Sequence, residues 1–257
     1  TDTSRSTTLS QNGASISTTE HVLASLVGCE VDNVMIEIDG IEIPILDGSS
    51  IEFVKALKSV GFKEQDADRE YYYIPHNIQY SEEDRKVEMV AMPHQDDYRF
   101  TCMVDYNSQV LGSQHATISS IGDFNDEIAS CRTFVFLHEL EMLLKHNLIK
   151  GGDINNAIVI VDHEINENEL KELAKAFNRE EIKVAREGIL NNIELRFQNE
   201  PARHKLLDMI GDLALIGTPL KGHIMAARPG HAANVAFAKK IKAAIKKDRK
   251  KKSHHVY

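Results

Sequence analysis

NEPARHKLLDMIGDLALIG, residues Asn199 to Gly217, reads as one helix with two different faces. Asn199 is placed to cap free N–H groups, Glu200 and Pro201 suit the first helical positions, and Gly217 marks the end. Leu206, Leu207, Ile210, Leu213 and Ala214 supply a buried side. His204 and Asp208 stand four residues apart, so they share one stripe of the helix, which Asp212 extends. In a chain with 12 histidines the commoner meaning of such a pair is a surface hydrogen bond or a salt-bridging histidine. Only a third ligand, a base and a polarising group elsewhere in the chain turn this rigid helix into a metal platform.

A length of 257 residues suffices for one large domain or two modest ones with a sizeable core. The composition, 42% hydrophobic and 27% charged, is that of a soluble globular protein. Cys29, Cys102 and Cys131 are odd in number and lack metal-ligand spacing, which argues for buried apolar thiols in a reducing compartment. No run approaches the roughly 18–20 apolar residues of a membrane span, and the polar start TDTSRSTTLSQNG has no signal-peptide character. A soluble, cytoplasmic protein without a transmembrane segment is therefore expected. Lys239 to Lys252 holds nine Lys or Arg against one Asp in a chain of net charge −9, so the remainder is strongly acidic. Such a run could meet nucleic acid or an anionic membrane. With no aromatic residues interleaved it reads as a solvated helix end or linker, and no nucleic-acid partner is expected.

From the N-terminus, Thr1 to Ile16 predicts an edge strand or a loop, and Ser17-Thr18-Thr19-Glu20 fits a capping box opening a helix that stops at Gly28. On this local sequence Glu20 is the box residue that reaches back to the cap N–H. Val34–Ile38 and Ile41–Ile45, divided by Asp39-Gly40, predict a hairpin. Ser49-x-x-Glu52 predicts a second capping box and a helix stopping at Gly61. The polar stretch 62–69 marks a boundary, giving an N-terminal domain 1–69, a C-terminal domain 70–245 and a basic tail 246–257. Val87–Met92 and Tyr98–Tyr106 predict a long antiparallel hairpin, and Gly112–Cys131 reads as loop-rich. Helices are expected over Leu137–Asn147, ended by Gly151-Gly152, and over Glu167–Phe177. Strands are expected at Ala157–Val161, Ile193–Phe197 and Lys221–Ala227, and a last helix carries Val235, Ala238, Ile241 and Ile245 inward.

Five motifs occur in order: Thr19-Glu20-His21; Ile43-Pro44-Ile45-x-Asp47-Gly48-Ser49; Ser130-Cys131-Arg132-Thr133-Phe134; His204-Lys205-x-x-Asp208-x-x-Gly211-Asp212; and Pro229-Gly230-His231-Ala232-x-Asn234. With them the chain resembles the UDP-3-O-acyl-N-acetylglucosamine deacetylase family over nearly its whole length. The resemblance implies a zinc amidohydrolase of the lipid A pathway that removes acetate from UDP-3-O-acyl-N-acetylglucosamine. It implies an α+β fold of two similar domains, each a small sheet with two main helices, the helices sandwiched between the sheets. Zn2+ would lie at the domain interface, near an apolar passage for the acyl chain.

By the same resemblance His21, His204 and Asp208 bind the zinc, a mixed N and O set that leaves a fourth position for water. Glu20 becomes the general base, against its reading as a cap residue, and His231 the acid and electrostatic partner. Thr133 helps hold the oxyanion and Asp212 orients His231. Lys205, and with it Phe134, meets the substrate; the other reading of Lys205 is a snorkelling surface lysine. Family members carry a preceding segment of strands, whereas this chain begins close to the first motif. Its tail resembles the linker of members fused to a 3-hydroxyacyl-carrier-protein dehydratase, so a fragment of such a fusion is expected. Two other readings stay open: a metal amidohydrolase acting on another N-acyl sugar, and an inactive nucleotide-sugar-binding fragment. Iron in place of zinc also stays open, because the ligand types suit several divalent metals.

Overall fold

The structure, a computed structural model, describes residues 2–106, 108, 110–145, 154–185 and 188–253. A small hairpin, β1 (Leu9–Gln11) and β2 (Ala14–Ile16), leads into α1 (Glu20–Gly28) and then α2 (Ile51–Val60). The exposed stretch 62–69 follows. Beyond it come β3 (Tyr72–Tyr73), β4 (Ile78–Glu82), β5 (Val87–Met92), β6 (Tyr98–Asp105), β7 (Ser113–Ile118) and the short α3 (Phe124–Glu127). A side unit pairs β8 (Phe134–Phe136) in parallel with β9 (Ile158–Ile160), with α4 (Leu137–Lys145) and α5 (Glu167–Ala176) beside them. The chain then forms α6 (Glu200–Leu213), β10 (Leu220–Ala227) and α7 (His231–Ser253). The fold is α+β, with two pairs of main helices, α1 with α2 and α6 with α7.

The main sheet runs β4-β5-β10-β6-β7, with β3 also paired to β10. Val87–Met92 and the run from Tyr98 are strands as expected, but they are not each other's partners. β10 lies between them, antiparallel to β5 and parallel to β6. Pro93–Asp97 is long enough to cross two inter-strand spacings, about 9.5 Å, and the alternation of Leu220, Gly222, Ile224 and Ala226 inward suits β10 to the centre. Phe100, Cys102 and Val104 of β6 meet Leu206, Leu207, Met209 and Ile210 of α6 and Phe237 of α7 in one core. A strand that the loop-rich reading of Gly112–Cys131 missed, β7, closes the other edge of β6.

Four further expectations change. Val34–Ile38 and Ile41–Ile45 form no hairpin: beyond one bridge, Ser17 to Glu42, the run pairs with no strand among the described residues, and Met35 is 85% exposed. A β-branched run becomes a strand only where it meets an edge and a face to bury. Neither capping box closes at α1 or α2, because Thr19 and Ser50 are the cap residues and neither side chain accepts from the helix. Ile193–Phe197 is not a strand. Its backbone groups turn instead to a buried ion pair, Arg196 N–H donating to Glu200 Oε2 (2.6 Å) and the Glu194 carbonyl accepting from Arg132. Residues 246–253 continue α7 as helix. The Gly151-Gly152 stop, with the end of the helix before it, lies outside the described residues.

The two helix pairs meet where α1 crosses α6, and Gly211 makes the crossing possible. A Cβ there would stand 2.0 Å from the Glu20 carbonyl oxygen, on backbone that cannot swing aside. The Gly211→Ala substitution is accordingly expected to destabilise the protein by about 1–3 kcal/mol, the usual cost of overpacking. Urea unfolding beside the parent measures this; equal midpoints would mean that the helices separate freely.

Candidate metal centre

At this crossing the first turn of α1 faces the middle of α6. His21 lies in α1 and His204 and Asp208 in α6; all three are buried, and they offer ligand atoms within 4.8 Å of one another. His204 Nε2 stands 3.3 Å and His21 Nε2 3.7 Å from Asp208 Oδ1. Donors about 2 Å from a shared tetrahedral ion would be separated by about 3.3 Å. Two of the remaining atoms of the set are committed elsewhere. His204 Nδ1–H donates to the Cys131 carbonyl (3.0 Å), which leaves Nε2 free as an acceptor, and Asp208 Oδ2 accepts from Lys205 Nζ (2.8 Å). Asp208 Oδ1 and His21 Nδ1 are buried without any hydrogen-bond partner, a cost that a bound cation at Oδ1 would relieve. Burial drives His204 down to about 3, so the imidazole stays neutral and able to ligate. Burial opposes the Asp208 charge, but its cationic neighbours, Lys205 among them, hold the carboxyl well below the usual range.

Glu20, the first residue of α1, is 3% exposed beside the three. Released from any capping role, its carboxylate accepts, among the described residues, only from the Thr7 N–H (Oε2, 3.0 Å), and burial raises its pKa against the pull of His231. His231 opens α7 and places Nε2 3.9 Å from both Glu20 Oε1 and Asp208 Oδ2. Its Nδ1–H donates to Asp212 Oδ2 (2.9 Å), which also accepts from Asn234 Nδ2 (2.8 Å), while Thr7 Oγ1 donates to Oδ1 (2.5 Å). Burial works against the His231 charge, yet Asp208 and Asp212 outweigh it and raise the group to about 9. Lys205 sits with Nζ 5.4 Å above the Phe134 ring, and Asp208 keeps it charged despite its burial. Thr133 is half-buried, its N–H donating to the Gly48 carbonyl (2.8 Å) and its carbonyl accepting from Ile158 N–H (2.8 Å). Its hydroxyl makes no hydrogen bond to the His and Asp set among the described residues.

Three contributors escaped the sequence reading. Thr7, in a hydroxyl-rich stretch with no motif, holds Glu20 and Asp212 together. Asn234 and Arg132 lay inside recognised motifs without a role. Arg132 pairs with the fully buried Glu200 (Nε to Oε1, 2.9 Å), and its own N–H also donates to Oε1 (2.9 Å). This pair pins the loop whose Cys131 carbonyl orients His204.

A helix crossing that gathers two neutral-capable imidazoles and a carboxylate, beside a second carboxylate and an acid-held histidine, has the donor set of a catalytic divalent-metal site. The sequence matches the family described as UDP-3-O-acyl N-acetylglycosamine deacetylase over residues 1–182 and 172–243, and the chain belongs to that family. A protein of Chlorobaculum tepidum named bifunctional enzyme LpxC/FabZ is 48% identical over 244 residues, covering 94% of this chain and 52% of that protein. One of the same name from Bacteroides thetaiotaomicron is 41% identical, covering 96% and 53%. The UDP-3-O-acyl-N-acetylglucosamine deacetylase of Chlamydia pneumoniae is 36% identical, covering 95% and 77%. The chain thus spans about half the length of the two bifunctional relatives.

The two histidines tilt the pH dependence in opposite senses. His204, depressed to about 3 from an unfolded value of about 6.5, costs stability as pH falls from the unfolded value toward 3. His231, raised to about 9, gives stability that is complete below about 6.5 and lost as pH rises through 9. The urea-unfolding free energy of chelator-stripped protein should therefore peak near pH ~6.5, and His231→Gln should flatten the alkaline limb alone. An unchanged alkaline limb in that variant would assign it to another group.

Proposed function

We propose that the chain hydrolyses the N-acetyl group of UDP-3-O-acyl-N-acetylglucosamine, releasing acetate, as the zinc-dependent deacetylase of lipid A synthesis. The observation that carries the metal is the partnerless Oδ1 of Asp208 within 3.3–3.7 Å of two imidazole Nε2 atoms. His21, His204 and Asp208 would hold Zn2+, which supplies Lewis acidity toward a water and the amide carbonyl. Glu20, its basicity raised by burial, takes the proton of the attacking water. His231, kept protonated by Asp208 and Asp212, stabilises the developing negative charge and passes its Nε2 proton to the amine that leaves. Asp212, gripped by Thr7 and Asn234, keeps that imidazole aimed, and Thr133 lends the oxyanion a further hydroxyl.

Lys205 meets the diphosphate or the sugar. The aromatic set Phe134, Phe136 and Tyr106, with ring centroids 5.5–6.3 Å apart, continues into Leu111, Ile158 and Ile160 and gives the acyl chain an apolar wall. We read the chain as the deacetylase part of a longer protein, a reading supported by its covering 52–53% of relatives named bifunctional enzyme LpxC/FabZ. The three cysteines form no disulfide, which suits the reducing cytoplasm. Among the described residues no helix is long and apolar enough to cross a membrane.

Elemental analysis of the purified chain should find about one zinc, one ion completing one three-ligand site, and His204→Ala should lose both metal and turnover. Glu20→Gln and His231→Gln should keep the metal while kcat falls by about 100- to 10,000-fold. Equal rates on substrates with and without the 3-O-acyl chain would overturn the substrate, and no zinc in the parent chain would overturn the metal.

A further inference from the structure

The outward face of the main sheet carries more than a solvated polar pattern. Three successive rungs cross it. Ala227 lies between Glu88 and Met103; Met225 lies between Val90 and Thr101; and His223 lies between Met92 and Arg99. The first two rungs line a shallow cavity of about 540 Å³ with Val90, Met103, Met225 and Ala227 as its apolar floor and Glu88 on the rung farthest from Arg99. Met103 and Met225 are 39% and 37% exposed and lie side by side in this one lining.

The third rung is cationic and uncompensated. No carboxylate contacts the Arg99 guanidinium among the described residues. Its Nη1 donates to His94 Nε2 (3.0 Å), its Nη2 donates to Ser119 Oγ (3.4 Å), and its Nε is buried without a partner. His223 Nε2 lies 3.0 Å from Thr101 Oγ1, the hydroxyl that accepts from Thr117 Oγ1 (3.2 Å). Burial, then Arg99 and His94, push the His223 pKa down, with no carboxylate drawing it back. An arginine beside two imidazoles and three hydroxyls, with no carboxylate contact among the described residues, has the donor set that an oxyanion takes. It borders the apolar floor at one rung's spacing, about 7 Å.

We propose that this face binds an amphipathic anion, with a carboxylate or phosphate head on Arg99 and an unbranched apolar body across Met225, Val90 and Met103. The two flexible thioethers suit a chain of variable shape. The site is separate from the candidate metal centre: Phe100, Cys102 and Val104 of the same strand point the other way, into the core under α6.

The test is NMR of the full chain labelled at the methionine methyls, titrated with decanoate, decyl phosphate and the neutral decyl maltoside below their micelle concentrations. Both anions should shift Met103 and Met225 saturably, the neutral probe binding about tenfold more weakly because it makes no charge-assisted hydrogen bond. Arg99→Gln should weaken the anions about tenfold and leave the neutral probe unchanged, with the buried Met209 methyl unmoved as a check on folding. Either order of affinity between the two anions supports the site and tells which head it prefers. Methyls unmoved by every probe, equal binding of neutral and anionic probes, or an indifferent Arg99→Gln would each overturn the proposal without touching the metal reading.

Discussion

The contact on which the rest depends is backbone against backbone, Glu20 of α1 on Gly211 of α6. It has no chemistry of its own, but it sets the distance between two helices that hold the five ionisable groups His21, Glu20, His204, Asp208 and Asp212. At the usual interhelical spacing of about 8–10 Å side chains intervene between axes. A glycine at the crossing removes the intervening methyl, and the side chains one turn away then converge instead of interdigitating. Apolar burial supplies the force that holds this geometry. Leu206, Leu207, Met209, Ile210 and Leu213 are essentially inaccessible, and each contributes about 2 kcal/mol relative to exposure.

That surplus matters because the same helix buries four ionisable side chains, and an unpaired buried charge costs several kcal/mol. Each is therefore assigned a partner. Glu200 has Arg132 and two backbone N–H groups; Asp212 has Thr7, Asn234 and His231; His204 has the Cys131 carbonyl; Asp208 has Lys205 at Oδ2. Low local dielectric strengthens these bonds and penalises any that are missing, so the network fixes orientation as much as it stabilises. Asp208 Oδ1, buried between two imidazoles without a hydrogen bond, stands out beside these bonds.

The sequence made the body of α6 legible, because apolar spacing and the His204–Asp208 stripe are local properties of one helix; its ends differ, since the Asn199 side chain turns to Arg203 and the His115 carbonyl instead of capping and the α-helix gives way to a 3-10 turn after Leu213. The body of α5 was legible too, and there Asn166 and Glu169 close a capping box in the structure. What it hid were relations between distant segments. Nothing local distinguishes a strand that pairs with its neighbour from one that waits for a later insert, which is why β5 and β6 were read as a hairpin. Ile193–Phe197 has the composition of a strand, yet its backbone bonds go to an ion pair formed with a residue upstream. The candidate centre divided the same way: His204, Asp208 and Asp212 announce themselves by spacing, while His21, Glu20 and His231 needed the resemblance. Thr7, whose hydroxyl is one among many near the N-terminus, gave no signal at all.

The place of β10 bears on how the molecule comes into being. β5 and β6 end by Asp105, and the strand that fills the gap between them begins only at Leu220. At a synthesis rate of about 5–20 residues per second, the ribosome needs on the order of ten seconds to supply it. Throughout that interval two strand edges stand open to any passing extended chain, including a neighbouring nascent copy. Parallel pairing of β10 with β6 closes late by its nature, since the loop it ends is long. The architecture that centres the core on a C-terminal strand thus makes birth, rather than heat or denaturant, the most exposed moment in the life of this protein.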